Sequence, residues 1–255
     1  RSDMSMLELT PDFIKEFAAY LSTEAGLRNG SIWANCMWLK GVVMKAHYNG
    51  LIPRNPFIQF HISPNVKERE YLTEDELKAV MTHEFADSKL AYIRDIFIFA
   101  SFTALSFVDI QELTNDNIVE VNGEKWILSK RHKTKVAFQV KLLDIPLQIV
   151  ERYRPMQKDN RIFPGLNYWS ICKPLKRMIR ECGITKSISF HCSRHGFATL
   201  ALSKGMPIES VSRVLGHTNI VTTQLYAKIT TQKLDNDLTM FGDKLSKTFN
   251  GITMS

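Results

Sequence analysis

The chain has 255 residues, 44% of them hydrophobic, and Lys+Arg exceed Asp+Glu by 33 to 26, a net charge of +7. That much apolar material builds one large or two smaller cores and excludes a disordered chain. The excess of base favours a polyanionic partner, nucleic acid ahead of a membrane surface. Cys36, Cys172, Cys182 and Cys192 form no C-x-x-C pair, so they read as free thiols of a reducing compartment. The longest apolar stretch, "YIRDIFIFASFTAL", is broken by charge and too short to span a bilayer. The opening "RSDMSMLELT" has no apolar signal core and no initial Met, which suggests an excised fragment.

In chain order, "TPDFIKEFAAYLSTEAG" predicts a helix with a Thr cap and Pro in its first turn. A second helix over 30–49 follows, with Trp33, Met37, Trp38, Val42 and Lys45 at near-helical spacing and Gly50 as its stop. Prolines and a charged run between 51 and 69 mark a linker. A small helical unit over 1–63, a linker at 64–70 and a larger unit over 71–255 result. The larger unit opens on a capping box, Thr73 with Glu76, and continues into an apolar helix over 89–105. Two β-rich runs joined by Asn122-Gly123 predict a hairpin, and "VAFQVKLLD" pairs with the second run. From 145 onward the pattern is helical, broken at Pro164-Gly165, Gly183, Gly205 and Gly216. The fold class is mainly α with one small antiparallel β-sheet (α+β).

Positive charge is clustered. Lys130, Arg131, Lys133, Lys135 and Lys141 fall in 126–143 without an acid, and Lys173, Lys176, Arg177 and Arg180 share the helix over 168–181. Such clusters are the footprint of a surface that tracks phosphates. "HCSRH" at 191–195 leaves three readings open. Zinc needs a third ligand and a base, and Cys192 stands where H-E-x-x-H has Glu. A plain helix start capped by Ser189 is the second. A phosphate clamp, His191 and Arg194 on one face, is the third. Downstream, Gly216-His217 turns into a helix that Thr218 caps, and Tyr226 follows. A hydroxyl nucleophile, cations and proton carriers together are the parts of a metal-free phosphoryl transfer.

With "HCSRHGFAT", "SKGMPIESVSRVLGHTNIVTTQLYAKI" and the hairpin "ILSKRHKTK" in this order, residues 71–245 resemble the tyrosine recombinase (phage integrase) family. The texture is nearest to integrases of conjugative transposons and similar mobile elements. The first 63 residues resemble the helical, SAM-like core-binding domain of that family, without the further N-terminal arm-binding domain. The resemblance implies a site-specific recombinase that integrates or excises a mobile element. In it Tyr226 forms a 3′-phosphotyrosine, Arg194 and His191 hold the phosphate, His217 supports a nonbridging oxygen, and Lys133 protonates the leaving 5′-oxygen. His195 is a supporting neighbour. It implies no cofactor and no metal.

One departure stands out. Where the family has arginine in a "T-G-L-R" stretch, this chain reads "TALS", with Ser106. Arg131 is the expected replacement, since on an extended strand it shares a side with Lys133; Arg94 is a weaker candidate. Asp109 matches an acidic buttress, or else is a plain helix N-cap. Lys130, Lys135, Lys173, Lys176, Arg177 and Arg180, with Lys40 and Lys45 of the second helix, are candidate DNA contacts. Leu234, Leu238, Phe241, Leu245 and Phe249 make the tail an amphipathic helix. It packs on its own domain or docks on a neighbour in a tetramer. The two domains are expected to clamp double-stranded DNA, with host DNA-bending factors as helpers, in the bacterial cytoplasm at the nucleoid and without a membrane. A type IB topoisomerase-like nickase, a DNA-binding module without catalysis and a metal-dependent nuclease are the competing readings.

Overall fold

The computed structural model describes residues 4–63, 70–133, 135–157, 159–226 and 231–248, without the side chains of 231–233 and 236. The chain divides into two compact units, 1–68 and 69–255. Of the expected linker at 64–70, only Glu70 is among the described residues.

The first unit is built on two helices. Helix α1 (Pro11–Thr23) is capped by the Thr10 hydroxyl, which accepts from the Phe13 N–H at 3.2 Å. Helix α2 (Asn29–Tyr48) buries Ile32, Cys36, Val43 and Ala46. The predicted stripe was a different one: Trp38 is 75% exposed and Val42 is exposed too. A helix with apolar residues on several sides has no single sequence-defined inner face, and packing against Ile14 and Leu21 of α1 selects the row at 32, 36, 43 and 46.

The second unit is organised around α4 (Ser88–Thr103), which follows α3 (Glu74–Thr82). The Thr73–Glu76 capping box forms in both directions. Leu90, Ile93, Ile96, Phe97, Ile98, Phe99 and Ala100 of α4 are buried around most of its circumference, the pattern of a helix at the centre of a core. Asp95 of α4 accepts from Arg94, Arg152 and the Tyr153 hydroxyl at 2.7–2.9 Å. Ala104 ends α4 in a left-handed conformation, φ +56°, which costs a non-glycine residue about 1–2 kcal/mol.

Helix α5 (Phe107–Gln111) leads to an antiparallel sheet of β1 (Ile118–Val121), β2 (Glu124–Lys130) and β3 (Ala137–Lys141), in that order. Val121 pairs with Glu124, and Asn122 and Gly123 both take positive φ, +53° and +78°, the mirror-image turn that strand twist favours. Lys130 pairs with Ala137, so a short loop over 131–136 joins β2 to β3. Then come α6 (Asp144–Tyr153) and α7 (Tyr168–Glu181), which buries Ile171, Leu175, Met178 and Ile179. Helices α8 (His191–Ser203), α9 (Ile208–Leu215), α10 (Val221–Gln224) and α11 (Thr231–Thr248) complete the unit. Among the described residues no helix is long and apolar enough to cross a membrane.

Candidate active site

Helix α8 begins at His191 with Phe190, not Ser189, in the cap position. The Ser189 hydroxyl and N–H both lie 3.3 Å from Cys192 Sγ, so the expected serine cap is engaged with sulfur instead. Arg194, one turn in, is 8% exposed. Its Nη1 donates to the Ala104 carbonyl at 2.7 Å and its Nη2 to the Leu215 carbonyl. Leu215 is the last residue of α9, whose final carbonyls lack helical partners and carry the negative end of the helix dipole. A buried cation is well placed there.

Arg131 reaches the same helix end. It is 5% exposed; Nη2 donates to the Val214 carbonyl at 2.5 Å and Nη1 to Asp109 Oδ2 at 2.8 Å. The guanidinium lies over the Phe138 ring, 4.1 Å from its centroid, a cation–π contact. A Cβ on Gly216 would sit 2.9 Å from Arg131 Nε, so this glycine, at φ +63°, leaves room for the arginine. Burial pushes the Arg131 pKa down, against the pull of Asp109. Arg194 is pushed down to about 10, first by burial and then by the charge of Arg131. At about 10 the Arg194 guanidinium is still charged at neutral pH.

The expected route for Arg131 is corrected. Strand β2 stops at Lys130, and Arg131 and Lys133 belong to the loop, closed by Arg131 N–H to Val136 O and Lys135 N–H to Arg131 O, both 2.8 Å. Two-residue strand alternation does not apply, and Arg131 points inward while Lys133 is exposed. Arg94 is held elsewhere, on Asp95 and the His83 carbonyl. Ser106 is the N-cap of α5, and Asp109 is the third residue of the helix, closing the capping box, not the cap. Burial would raise the Asp109 pKa. The His132 N–H, the Ser106 hydroxyl and Arg131 together hold it below the usual range.

His217 follows Gly216. Its Nδ1 lies 2.9 Å from the hydroxyl of fully buried Thr223. Burial, then the charges of Arg194, Arg131 and His191, push its pKa down to about 4. The expected cap at Thr218 does not form; Asn219 Oδ1 accepts from the Val221 N–H at 2.9 Å instead. The helix starts later than expected, with Ile220 in its cap position, so Thr218 is not placed to cap it. Tyr226 lies just past α10, half-buried, its N–H on the Thr223 carbonyl at 3.0 Å. The His195 ring sits between its neighbours, 4.7 Å from His191 and 5.1 Å from Tyr226, centroid to centroid.

Lys133 lies in the β2–β3 loop, with Lys130 and Lys135 exposed beside it. On α7, Lys173, Lys176 and Arg180 are exposed, whereas the Arg177 charge is paired with Glu181 at 2.7 Å and Asp87 at 3.3 Å. Lys40 and Lys45 belong to α2 of the first unit. Among the described residues no group of three or more His, Cys, Asp and Glu is placed to hold a metal ion. On α11, Leu234, Leu238, Phe241 and Leu245 are 40–59% exposed; Phe249 lies outside the described residues.

Sequence reasoning missed the Ala104, Val214 and Leu215 carbonyls, Phe138, and Thr223. Backbone carbonyls carry no residue signature. Thr223 had one faint signal, its place one turn before Tyr226.

Comparison with known proteins bears on this assembly. The Phage integrase family model matches residues 70–233, and the Phage integrase SAM-like domain model matches residues 1–62. Tyrosine recombinase XerA of Pyrococcus horikoshii is 32% identical over 177 residues, 64% of this chain and 58% of that protein. Tyrosine recombinase XerC of Lactobacillus leichmannii is 25% identical over 229 residues, 84% of this chain and 77% of its own. In fold, the Tn1549 transposon integrase, solved in complex with a circular intermediate DNA, superposes with a TM-score of 0.78 at 18% identity, over 92% of this chain and 86% of that one. This chain therefore belongs to the phage integrase family, the tyrosine recombinases.

Proposed function

We propose that the protein is a site-specific recombinase that cuts and rejoins double-stranded DNA through Tyr226, integrating or excising a mobile element. The observation that carries this reading is the pair of buried guanidiniums, Arg131 and Arg194, fixed side by side on the Val214 and Leu215 carbonyls, next to His217 and Tyr226. Fixed cations in a water-poor setting stabilise the charge that develops on a phosphorane-like transition state without reorganising.

In this scheme the Tyr226 oxygen attacks phosphorus, and its proton passes to His191 or to water. The P–O bond to the 5′-oxygen breaks as the phosphotyrosine bond forms, and Lys133 supplies the proton that the leaving oxygen takes. Arg194, Arg131 and His217 hold the nonbridging oxygens. Arg131 supplies the charge that Ser106 does not. Asp109 and Ser106 act through Arg131, by fixing its guanidinium. His195 supports the Tyr226 ring. Bond energy is stored in the covalent intermediate, so the scheme needs no cofactor.

DNA contact is assigned to Lys130, Lys135, Lys173, Lys176 and Arg180, to Arg177 with its charge partly spent, and to Lys40 and Lys45 of the first unit. The exposed apolar stripe of α11 supports docking on a neighbouring copy in a tetramer on DNA. Host DNA-bending factors and a place at the bacterial nucleoid in the cytoplasm complete the proposal.

A nicked DNA substrate that loses its short 5′-hydroxyl strand traps the intermediate. A covalent protein–DNA adduct is expected with the parent and none with Tyr226→Phe, in the presence of EDTA as well. No adduct on any element-end DNA overturns the reading.

A further inference from the structure

Serine and threonine hydroxyls inside the helices of this protein tend to turn back on the preceding turn. Thr23, Thr82, Ser101, Thr103 and Thr199 each bond the carbonyl four residues earlier, at 2.7–3.1 Å. Thr223 does otherwise. Its side chain is fully buried, and its hydroxyl lies 2.9 Å from His217 Nδ1, with no other hydrogen bond of that hydroxyl among the described residues.

A hydroxyl has one proton to place, and a neutral imidazole has one donor nitrogen and one acceptor. If Nδ1–H donated to Thr223, the hydroxyl proton would be buried without an acceptor, which costs more than one hydrogen bond returns. If the hydroxyl donates to a bare Nδ1, both groups are satisfied and the ring proton stands on Nε2. In a histidine the partner of one nitrogen decides what the other can do.

We propose that Thr223 is a positioning residue: its hydroxyl donates to His217 Nδ1, locks the ring as the Nε2–H tautomer, and makes His217 a fixed hydrogen-bond donor to a nonbridging phosphate oxygen. This rests on the reading of His217 as a phosphate contact. It follows that His217 neither takes nor gives a proton during strand cleavage, and that the Tyr226 proton goes elsewhere. The surroundings agree. Burial first, and then the charges of Arg194, Arg131 and His191, disfavour a proton on His217. Thr223 is also joined to the nucleophile, because its carbonyl accepts from the Tyr226 N–H at 3.0 Å. One residue thus sets the state of the ring and anchors the backbone of the tyrosine.

The test reads the tautomer directly. The 255-residue protein, labelled with 15N-histidine and free of DNA, is examined by multiple-bond 1H–15N correlation near neutral pH, with His217 assigned by its loss in His217→Asn. The parent and Thr223→Ser are expected to show an unprotonated Nδ1 and a protonated Nε2, and Thr223→Val a shift toward the Nδ1–H form. Adduct formation on the nicked substrate is expected to fall about tenfold in Thr223→Val and to stay within about twofold in Thr223→Ser. A protonated His217 Nδ1 in the parent overturns the proposal, whatever the behaviour of the Thr223 variants. A Thr223→Val protein that cleaves like the parent overturns it too. Failure of the strand-transfer reading is separate: the parent then forms no adduct, whatever its tautomer.

Discussion

Arg131 and Arg194 are anchored on consecutive carbonyls, those of Val214 and Leu215, at the C-terminal end of one helix. Two like charges this close tolerate burial because the helix end is negative and because Asp109 balances one of them at 2.8 Å. Arg131→Ala leaves Asp109 buried and unpaired, and is expected to cost about 3–5 kcal/mol of stability, read by urea denaturation. Arg131→Met with Asp109→Asn removes both charges and is expected to recover part of that loss, but not adduct formation. Adduct formation at the parental rate in this pair means that Arg131 is not the second phosphate cation.

Gly216 and Gly183 both have positive φ, +63° and +73°, yet only Gly216 has a neighbour where a Cβ would be, Arg131 Nε at 2.9 Å. Alanine at Gly183 is expected to lower stability by about 1 kcal/mol through backbone strain, and alanine at Gly216 by more, because it also disturbs the buried Arg131–Asp109 pair. Only Gly216→Ala is expected to lose cleavage, because the added methyl displaces the guanidinium. Equal cleavage by the two variants would remove Gly216 from the site.

His217 titrates at about 4 in the fold, against an ordinary value of 6.5. Between those values the unfolded chain holds a proton on this residue that the folded chain does not, so stability falls as pH drops from 6.5 toward 4. Above 6.5 neither state is protonated there and the contribution is flat. Urea midpoints measured from pH 8 to pH 4 are expected to fall more steeply for the parent than for His217→Asn within that window. Parallel curves would show that the ring is not held neutral.

The stripe at Leu234, Leu238, Phe241 and Leu245 is 40–59% exposed. Leu238→Asp with Phe241→Asp is expected to leave stability within about 0.5 kcal/mol, as for exposed positions generally. Assembly of more than one copy on DNA, followed by gel mobility or light scattering, is expected to weaken. Unchanged assembly separates α11 from the interface.

Local rules carried the reading a long way. The Thr73–Glu76 box, the Asn122-Gly123 turn and the stop after α8 form where short-range sequence placed them, because each depends on residues within one turn of one another. The same reasoning failed at Ser189 and Thr218, where a sulfur atom and a neighbouring Asn offered competing partners. Strand parity failed at Arg131, because β2 had already ended.

The sequence by itself determined the Thr73–Glu76 box, the Asn122-Gly123 turn and the order of the chemical groups, including the serine in place of an arginine. Only the tertiary structure decided where Arg131 goes. Its partners are Asp109 from another helix, a carbonyl of α9 and the ring of Phe138. A main-chain carbonyl is the same in every residue. Its availability depends on a helix ending at that point and on a hairpin packing against it, which no local pattern of side chains encodes.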